Sequence, residues 1–166
     1  MTAATPAAPT HSALGAAGRG ARFGFLLALV YGALFALYAI VRSGWQIVTT
    51  LPPGAGMLGT LAANTAAIAF AALWVTLMFA VVAAAVGAVT MAVAHGLASL
   101  LRLQGSPIGR VTLGVLVALV LVAGLQWIVI QAVGRYGSAF WPAGYWFWLG
   151  LPSLLFVIGM GWVSRR

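Results

Sequence analysis

Residues 60–102, TLAANTAAIAFAALWVTLMFAVVAAAVGAVTMAVAHGLASLLR, decide the fold of this chain. The stretch holds no proline, and its first charged residue is the arginine that ends it. A helix of roughly forty residues is about 60 Å long, twice the ~30 Å hydrocarbon core of a bilayer. No turn-forming pair interrupts the stretch, so we predict one over-long helix over residues 60–101 that bends or projects beyond the membrane.

Small residues recur at every fourth position of this predicted helix. They are Ala80, Ala84, Ala88, Ala92 and Gly96, here called the ladder. In lipid, small residues at such spacing let two helix backbones approach closely, because packing replaces the hydrophobic drive that lipid removes. We expect the ladder to be a helix-packing surface, either inside the protein or against another protein.

The composition is typical of a membrane protein. Of 166 residues, 64% are hydrophobic and 5% are charged, and the mean hydropathy is +1.12. A soluble domain of this size could not cover so much apolar surface with so few charges. The length favours one compact membrane domain. Arginine without lysine, together with abundant alanine and glycine, hints at a GC-rich bacterial genome.

The absent residue types exclude most catalytic sites. The chain has no aspartate, glutamate or cysteine. Paired-acid hydrolysis, a Ser-His-Asp arrangement, thiolate chemistry, zinc fingers and iron–sulfur ligation all need one of these residues. We therefore expect no enzyme activity and no bound metal. The net charge of +8 comes from arginines scattered at the ends of apolar runs, which favours a membrane surface over nucleic acid as the partner.

Four apolar runs predict an all-α, integral membrane four-helix bundle. The spans lie at about 23–42, 60–101, 109–133 and 145–163, within a membrane domain over residues 21–166 that follows a disordered tail over residues 1–20. A signal peptide is the alternative for the first run, but no clear cleavage site follows it. Gly105, Ser106 and Pro107 predict a helix stop, a cap and a helix start between the second and third spans.

The arginines predict the orientation. With the N-terminus inside, six of them lie on the cytoplasmic side and two outside, whereas five spans give five to three at best. The six are Arg19, Arg22, Arg102, Arg110, Arg165 and Arg166, and the two are Arg42 and Arg135. We therefore predict a multi-pass protein of the bacterial inner membrane with both termini cytoplasmic. An aromatic belt at Trp141, Tyr145, Trp146 and Trp148 marks the outer interface.

His95 is a candidate cofactor ligand. A neutral imidazole on a helix can ligate haem iron or the magnesium of a chlorophyll-type pigment, and Gly96 beside it would ease the approach of a macrocycle. The other histidine, His11, lies in the predicted tail, so two-histidine ligation of haem has no second ligand. A surface or packing role near the inner interface is the alternative.

A polar stripe at the end of the second span is a candidate lipid or anion contact. His95, Ser99 and Arg102 share one helix face, and Arg110 follows the turn. An ordinary solvated helix end is the alternative. A second polar set, in the outer half of the protein, consists of Gln46, Asn64, Thr65, Gln126 and Gln131. These side chains either bridge helices or line a polar path.

Three functions remain open from the sequence. The first is a structural or assembly subunit of a larger membrane complex, with anionic lipids and other membrane subunits as partners. The alternative is the transmembrane component of a transporter or permease, which would usually need ionisable groups inside the membrane. The third is a pigment- or haem-binding membrane protein that uses His95.

Overall fold

The computed structural model describes residues 13–134 and 150–165, and within these ranges the chain forms four α-helices. They are α1 (Ala13–Thr50), α2 (Ala55–Leu100), α3 (Pro107–Gly134) and α4 (Leu151–Ser164). The first three are long and apolar enough to cross a membrane, and α4 is a shorter apolar helix. The predicted all-helical class and the over-long second helix are confirmed, since α2 runs without a break for 46 residues.

The first helix extends beyond both ends of the predicted first span. Helix α1 has 38 residues and extends well beyond the predicted 23–42, so residues 13–20, expected in the disordered tail, are helical. Alanine has the highest helix propensity, and Ala16 is only 1% exposed, so packing supports this part of α1. At the other end, the Thr50 hydroxyl donates to the Gln46 carbonyl at 2.7 Å, and the helix stops just before Pro52.

The predicted turn between the second and third spans is confirmed at its cap and corrected at its stop. Pro107 begins α3, and the Gly109 amide donates to the Ser106 Oγ at 3.1 Å. Arg102, not Gly105, adopts the left-handed conformation that ends α2, with φ of 55°. Its amide donates to Ser99 O, and the next amide, of Leu103, donates to Ala98 O, as in a Schellman motif.

Several predictions fall on residues 1–12, 135–149 and 166, outside the described ranges. They are the start of the fourth span, the aromatic belt (Trp141, Tyr145, Trp146, Trp148), and the positions of His11, Arg135 and Arg166.

The chain divides into two compact units. The first unit comprises Met1–Phe23 and Val86–Arg166, which include the start of α1, the end of α2, and helices α3 and α4. Its described core contains Met160 and Thr90, both fully buried, and Phe156 at 6% exposure. The ring of Phe156 packs against that of Phe23 with their centroids 6.2 Å apart. Helix α4 therefore packs directly against the start of α1.

The second unit, Gly24–Ala85, is an antiparallel pair formed by the rest of α1 and α2. Gly24 faces the carbonyl of Ala83, and Gly32 faces the side chain of Thr76. Further along α1, Gly44 lies against Leu61, whose Cδ2 is 3.6 Å from the position a Cβ would take. As the residue number rises along α1, the number of its contact partner on α2 falls, so the two helices are antiparallel. Glycines on α1 therefore let the two helices approach closely.

Candidate functional site

The predicted polar stripe lies in the first unit, at the end of α2. His95 is half-buried, whereas Ser99 and Arg102 are exposed. Arg110 is half-buried at the start of α3. No group of three histidine, cysteine or acidic side chains that could hold a metal ion occurs in the part of the chain that the structure describes. A pigment at His95 would therefore depend on this one imidazole and on the open space beside Gly96.

The ladder turns around α2 instead of following one face. Ala80 is fully buried, Ala84, Ala88 and Ala92 are half-buried, and Gly96 is exposed. A repeat of four residues advances about 40° per step on a helix of 3.6 residues per turn, so Ala80 and Gly96 point about 160° apart. The buried residues of α2 follow the helical period of 3.6 residues more closely. They are Ala72, Ala80, Gly87, Thr90, Met91, Ala94 and Ala98.

A reciprocal glycine contact joins α1 to α2 in the first unit. A Cβ on Gly20 would overlap the carbonyl oxygen of Gly87, and a Cβ on Gly87 would overlap the carbonyl oxygen of Gly20. Neither glycine belongs to the predicted ladder. The spacing of Gly20 and Gly24 in α1, the small-xxx-small pattern of close helix contacts, could have indicated them.

A second cluster that was not predicted from the sequence surrounds Ser164 near the end of α4. The Ser164 Oγ donates to the Met160 carbonyl at 2.6 Å and lies 3.5 Å from the Met91 Sδ. A Cβ on Gly114 of α3 would overlap the same hydroxyl. Ser164 is 7% exposed and Met91 is 4% exposed, so α2, α3 and α4 meet at a buried contact. The bond back to its own helix satisfies the hydroxyl, and the cluster is therefore a packing point.

Five of the six described arginines belong to the first unit: Arg19, Arg22, Arg102, Arg110 and Arg165. Arg42 is in the second unit, where it donates to the Tyr38 hydroxyl at 3.1 Å. Arg19 and Arg110 are half-buried, whereas Arg22 and Arg165 are exposed. The Nε atoms of Arg19 and Arg110 are enclosed and have no hydrogen-bond partner among the described residues. Two half-buried arginines with an enclosed Nε thus occur in a chain that has no carboxylate side chain.

Two members of the predicted polar set, Asn64 and Gln126, each donate a hydrogen bond to a serine on another helix. In the second unit, the Asn64 amide donates to the Ser43 hydroxyl. In the first unit, the Gln126 amide donates to the Ser153 hydroxyl of α4 at 2.8 Å. Each of these two amides bridges a pair of helices, as structural contacts in a membrane do.

The Gln126–Ser153 pair lines an open groove of about 490 Å³ between α3 and α4. The other lining residues are apolar: Leu119, Val122, Ala123, Gly150, Leu151, Leu154 and Val157. A groove with so few polar groups suits an acyl chain or an apolar side chain better than a polar solute.

Comparison with protein-family models, with curated proteins and with solved structures finds no match for this chain. The fold and composition nevertheless define the structural class of the protein. The chain is an all-helical protein with three long apolar helices compatible with membrane spans.

Proposed function

We propose that this protein is a non-catalytic structural or assembly subunit of a larger membrane protein complex. The observation that carries the proposal is the length of apolar surface on α2. Leu58 near its start is 65% exposed, Phe79 in its middle 59%, and Leu100 at its end 80%. At about 1.5 Å per residue, the part of α2 from Leu58 to Leu100 has a helical length of about 63 Å, whereas the hydrocarbon core measures about 30 Å. Lipid tails cannot cover both ends, so a protein partner would cover at least one of them.

The chemistry of the chain supports a non-catalytic role. The described polar side chains in the helix contacts are hydroxyls and amides that bond to other protein groups, as Asn64 and Gln126 do. The chain offers no carboxylate or thiol for acid–base or nucleophilic work. We place the protein in a bacterial inner membrane, multi-pass, with the arginine-rich first unit towards the cytoplasm, because positive residues accumulate on that side.

Site-specific photo-crosslinking tests this function. The chain has no cysteine, so a single cysteine at Leu58, Phe79 or Leu100 can carry a thiol-linked crosslinker in native membranes. We expect the Leu58 or Leu100 probe to yield a protein adduct of defined mass, and the mid-helix Phe79 probe to label lipid. Purification in mild detergent should recover the same companion, identified by its mass. Lipid or water adducts at all three positions would contradict a subunit role.

A further inference from the structure

We propose that Arg42 binds the phosphate of an anionic phospholipid, and that Tyr38 positions the guanidinium group for this contact. The site lies wholly within the second unit, on the part of α1 between Leu34 and Trp45. It depends neither on the proposed subunit function nor on the side of the membrane that this end of α1 faces. The polar stripe of the sequence analysis is a different surface, since it belongs to the first unit.

Arg42 and Tyr38 are in direct contact on one side of α1. They are four residues apart, about one helical turn, and the Arg42 Nη1 donates to the Tyr38 hydroxyl at 3.1 Å. Trp45 follows Arg42 by three residues and therefore lies on the same side of the helix. A phosphate on this guanidinium would have a tyrosine and a tryptophan as its neighbours along the helix.

The guanidinium group of Arg42 has donors left for a ligand. Arg42 is exposed, and so is Tyr38, at 45%. The bond to Tyr38 uses one of the five guanidinium N–H groups, and Arg42 makes no other hydrogen bond within residues 13–134 and 150–165. The chain has no carboxylate side chain to neutralise the charge. The remaining donors can bind two phosphate oxygens at once, because the planar fork of arginine matches their geometry.

The sequence around Arg42 marks the boundary between lipid tails and headgroups. Residues 23–41, directly before it, carry no charge and have a helical length of about 28 Å, close to the ~30 Å hydrocarbon core. The end of α1 after Arg42 is richer in polar residues: Ser43, Gln46, Thr49 and Thr50. Trp45 is 71% exposed, and tryptophan and tyrosine are enriched at the headgroup level. This pattern places Arg42 at the depth of lipid phosphates.

The exposed side chains beside Arg42 favour a phospholipid over a soluble anion. Val41 is 63% exposed, Leu37 is 60% exposed, and Leu34, one turn before Tyr38, is 50% exposed. Apolar side chains next to an exposed cation match a ligand that joins a phosphate to acyl chains. A lipid with net negative charge is favoured over a zwitterionic lipid, because it also neutralises the positive charge of Arg42.

Fluorescence quenching by brominated lipids tests the site. The chain has no cysteine, so a single cysteine at Leu34 can carry a bimane fluorophore beside the site. The full chain would be reconstituted in mixtures of phosphatidylglycerol and phosphatidylcholine, with brominated acyl chains on one lipid at a time. The quenching gives the relative affinity of the two lipids next to the label. We expect about fivefold preference for phosphatidylglycerol at Leu34. A reference label at Phe79 of α2, which is 59% exposed, should show none.

Three variants separate a positioned site from diffuse attraction. Arg42→Gln should abolish the preference at Leu34. Tyr38→Phe keeps the charge and the ring but removes the hydroxyl that holds the guanidinium, so the preference should fall about twofold. Tyr31→Phe is the matched control, because it removes a hydroxyl from the same helix two turns earlier and should leave the preference at the wild-type value.

Each other outcome contradicts the site. No preference in wild type, an equal preference at Phe79, or an unchanged preference in Tyr38→Phe would overturn it in favour of diffuse surface attraction. Loss of the preference on addition of millimolar inorganic phosphate would assign Arg42 to a soluble anion instead of a lipid. Loss of a companion protein from Arg42→Gln, with the lipid preference unchanged, would assign Arg42 to a partner's carboxylate.

A further variant keeps the test valid if the glutamine variant does not fold. Arg42→Lys keeps the charge but lacks the planar fork. We expect it to fold and to prefer phosphatidylglycerol more weakly than wild type, whereas an unchanged preference would refute binding through the fork. Loss of the lipid preference with the companion protein still bound would leave the proposed function standing, so the two proposals fail separately.

Discussion

Gly20 of α1 and Gly87 of α2 pack backbone against backbone, each carbonyl oxygen occupying the place of a Cβ on the other glycine. No larger residue fits at either position without moving a helix. The Cε of Met160 on α4 lies 3.2 Å from the same Cβ position on Gly87, so a third helix closes over the contact. This crossing fixes how the start of α1 meets the end of α2 in the first unit.

Gly87→Ala should therefore destabilise the protein. The added methyl group would meet the Gly20 carbonyl, and overpacking a close contact typically lowers the free energy of unfolding by about 1–3 kcal/mol. Gly96→Ala on the same helix is the matched control, since no atom lies within 4 Å of its Cβ position. Its unfolding free energy should stay level or rise by up to about 1 kcal/mol through helix propensity. Equal effects of both changes in a detergent unfolding titration would contradict a tight crossing.

Arg102→Gly should stabilise the turn after α2. Arg102 has φ of 55°, where a side chain is strained and glycine is not. We expect the free energy of unfolding to rise by about 0.5–1 kcal/mol. Arg102→Ala removes the same charge but keeps the Cβ, so it should show no such gain. A glycine variant less stable than the alanine variant would refute the strain.

Gln126 and Ser153 should be energetically coupled. Their hydrogen bond of 2.8 Å joins α3 to α4, and such bonds within membranes contribute about 0.6 kcal/mol on average. A double-mutant cycle of Gln126→Leu and Ser153→Ala measures the coupling through the unfolding free energies of the four proteins. We expect about 0.5–1 kcal/mol. Strictly additive effects would show that the two side chains do not stabilise each other.

Single-cysteine labelling should report the predicted orientation. Residues 51–54 join α1 to α2, and residues 101–106 join α2 to α3, so the two turns lie at opposite ends of α2. In intact cells, a cysteine at Gly54 should react with an impermeant thiol reagent. A cysteine at Gln104 should react only after permeabilisation, because the arginine count assigns that turn to the cytoplasm. The reverse pattern would invert the proposed topology.

The helix boundaries show where sequence reasoning fell short. Residues 13–20 fall in the predicted disordered tail, and residues 43–50 lie between the predicted first and second spans. In the structure both belong to α1, where Ala16 is buried and the Ser43 hydroxyl accepts a hydrogen bond from Asn64. Contacts with other helices stabilise the helical conformation where local helix propensity does not decide it. The sequence of one helix does not reveal those contacts.

The sequence by itself determined the all-helical class of the protein and the continuity of α2. In an apolar medium, a forty-residue run without charge or proline has its lowest free energy as a continuous helix, because the helix satisfies the backbone hydrogen-bonding groups. The absence of carboxylate and thiol side chains likewise limits, from the sequence alone, the reactions that the chain could catalyse.

Only the tertiary structure decided which small residues pack and which arginines are half-buried. The ladder repeats every four residues, whereas one face of a helix repeats every 3.6 residues. Gly87 is therefore at the crossing point, and Gly96 is exposed. Arg19 and Arg22 look alike in sequence. Arg19 is half-buried with an enclosed Nε, whereas Arg22 is exposed. The rotation of a helix about its own axis is set by the helices that it meets.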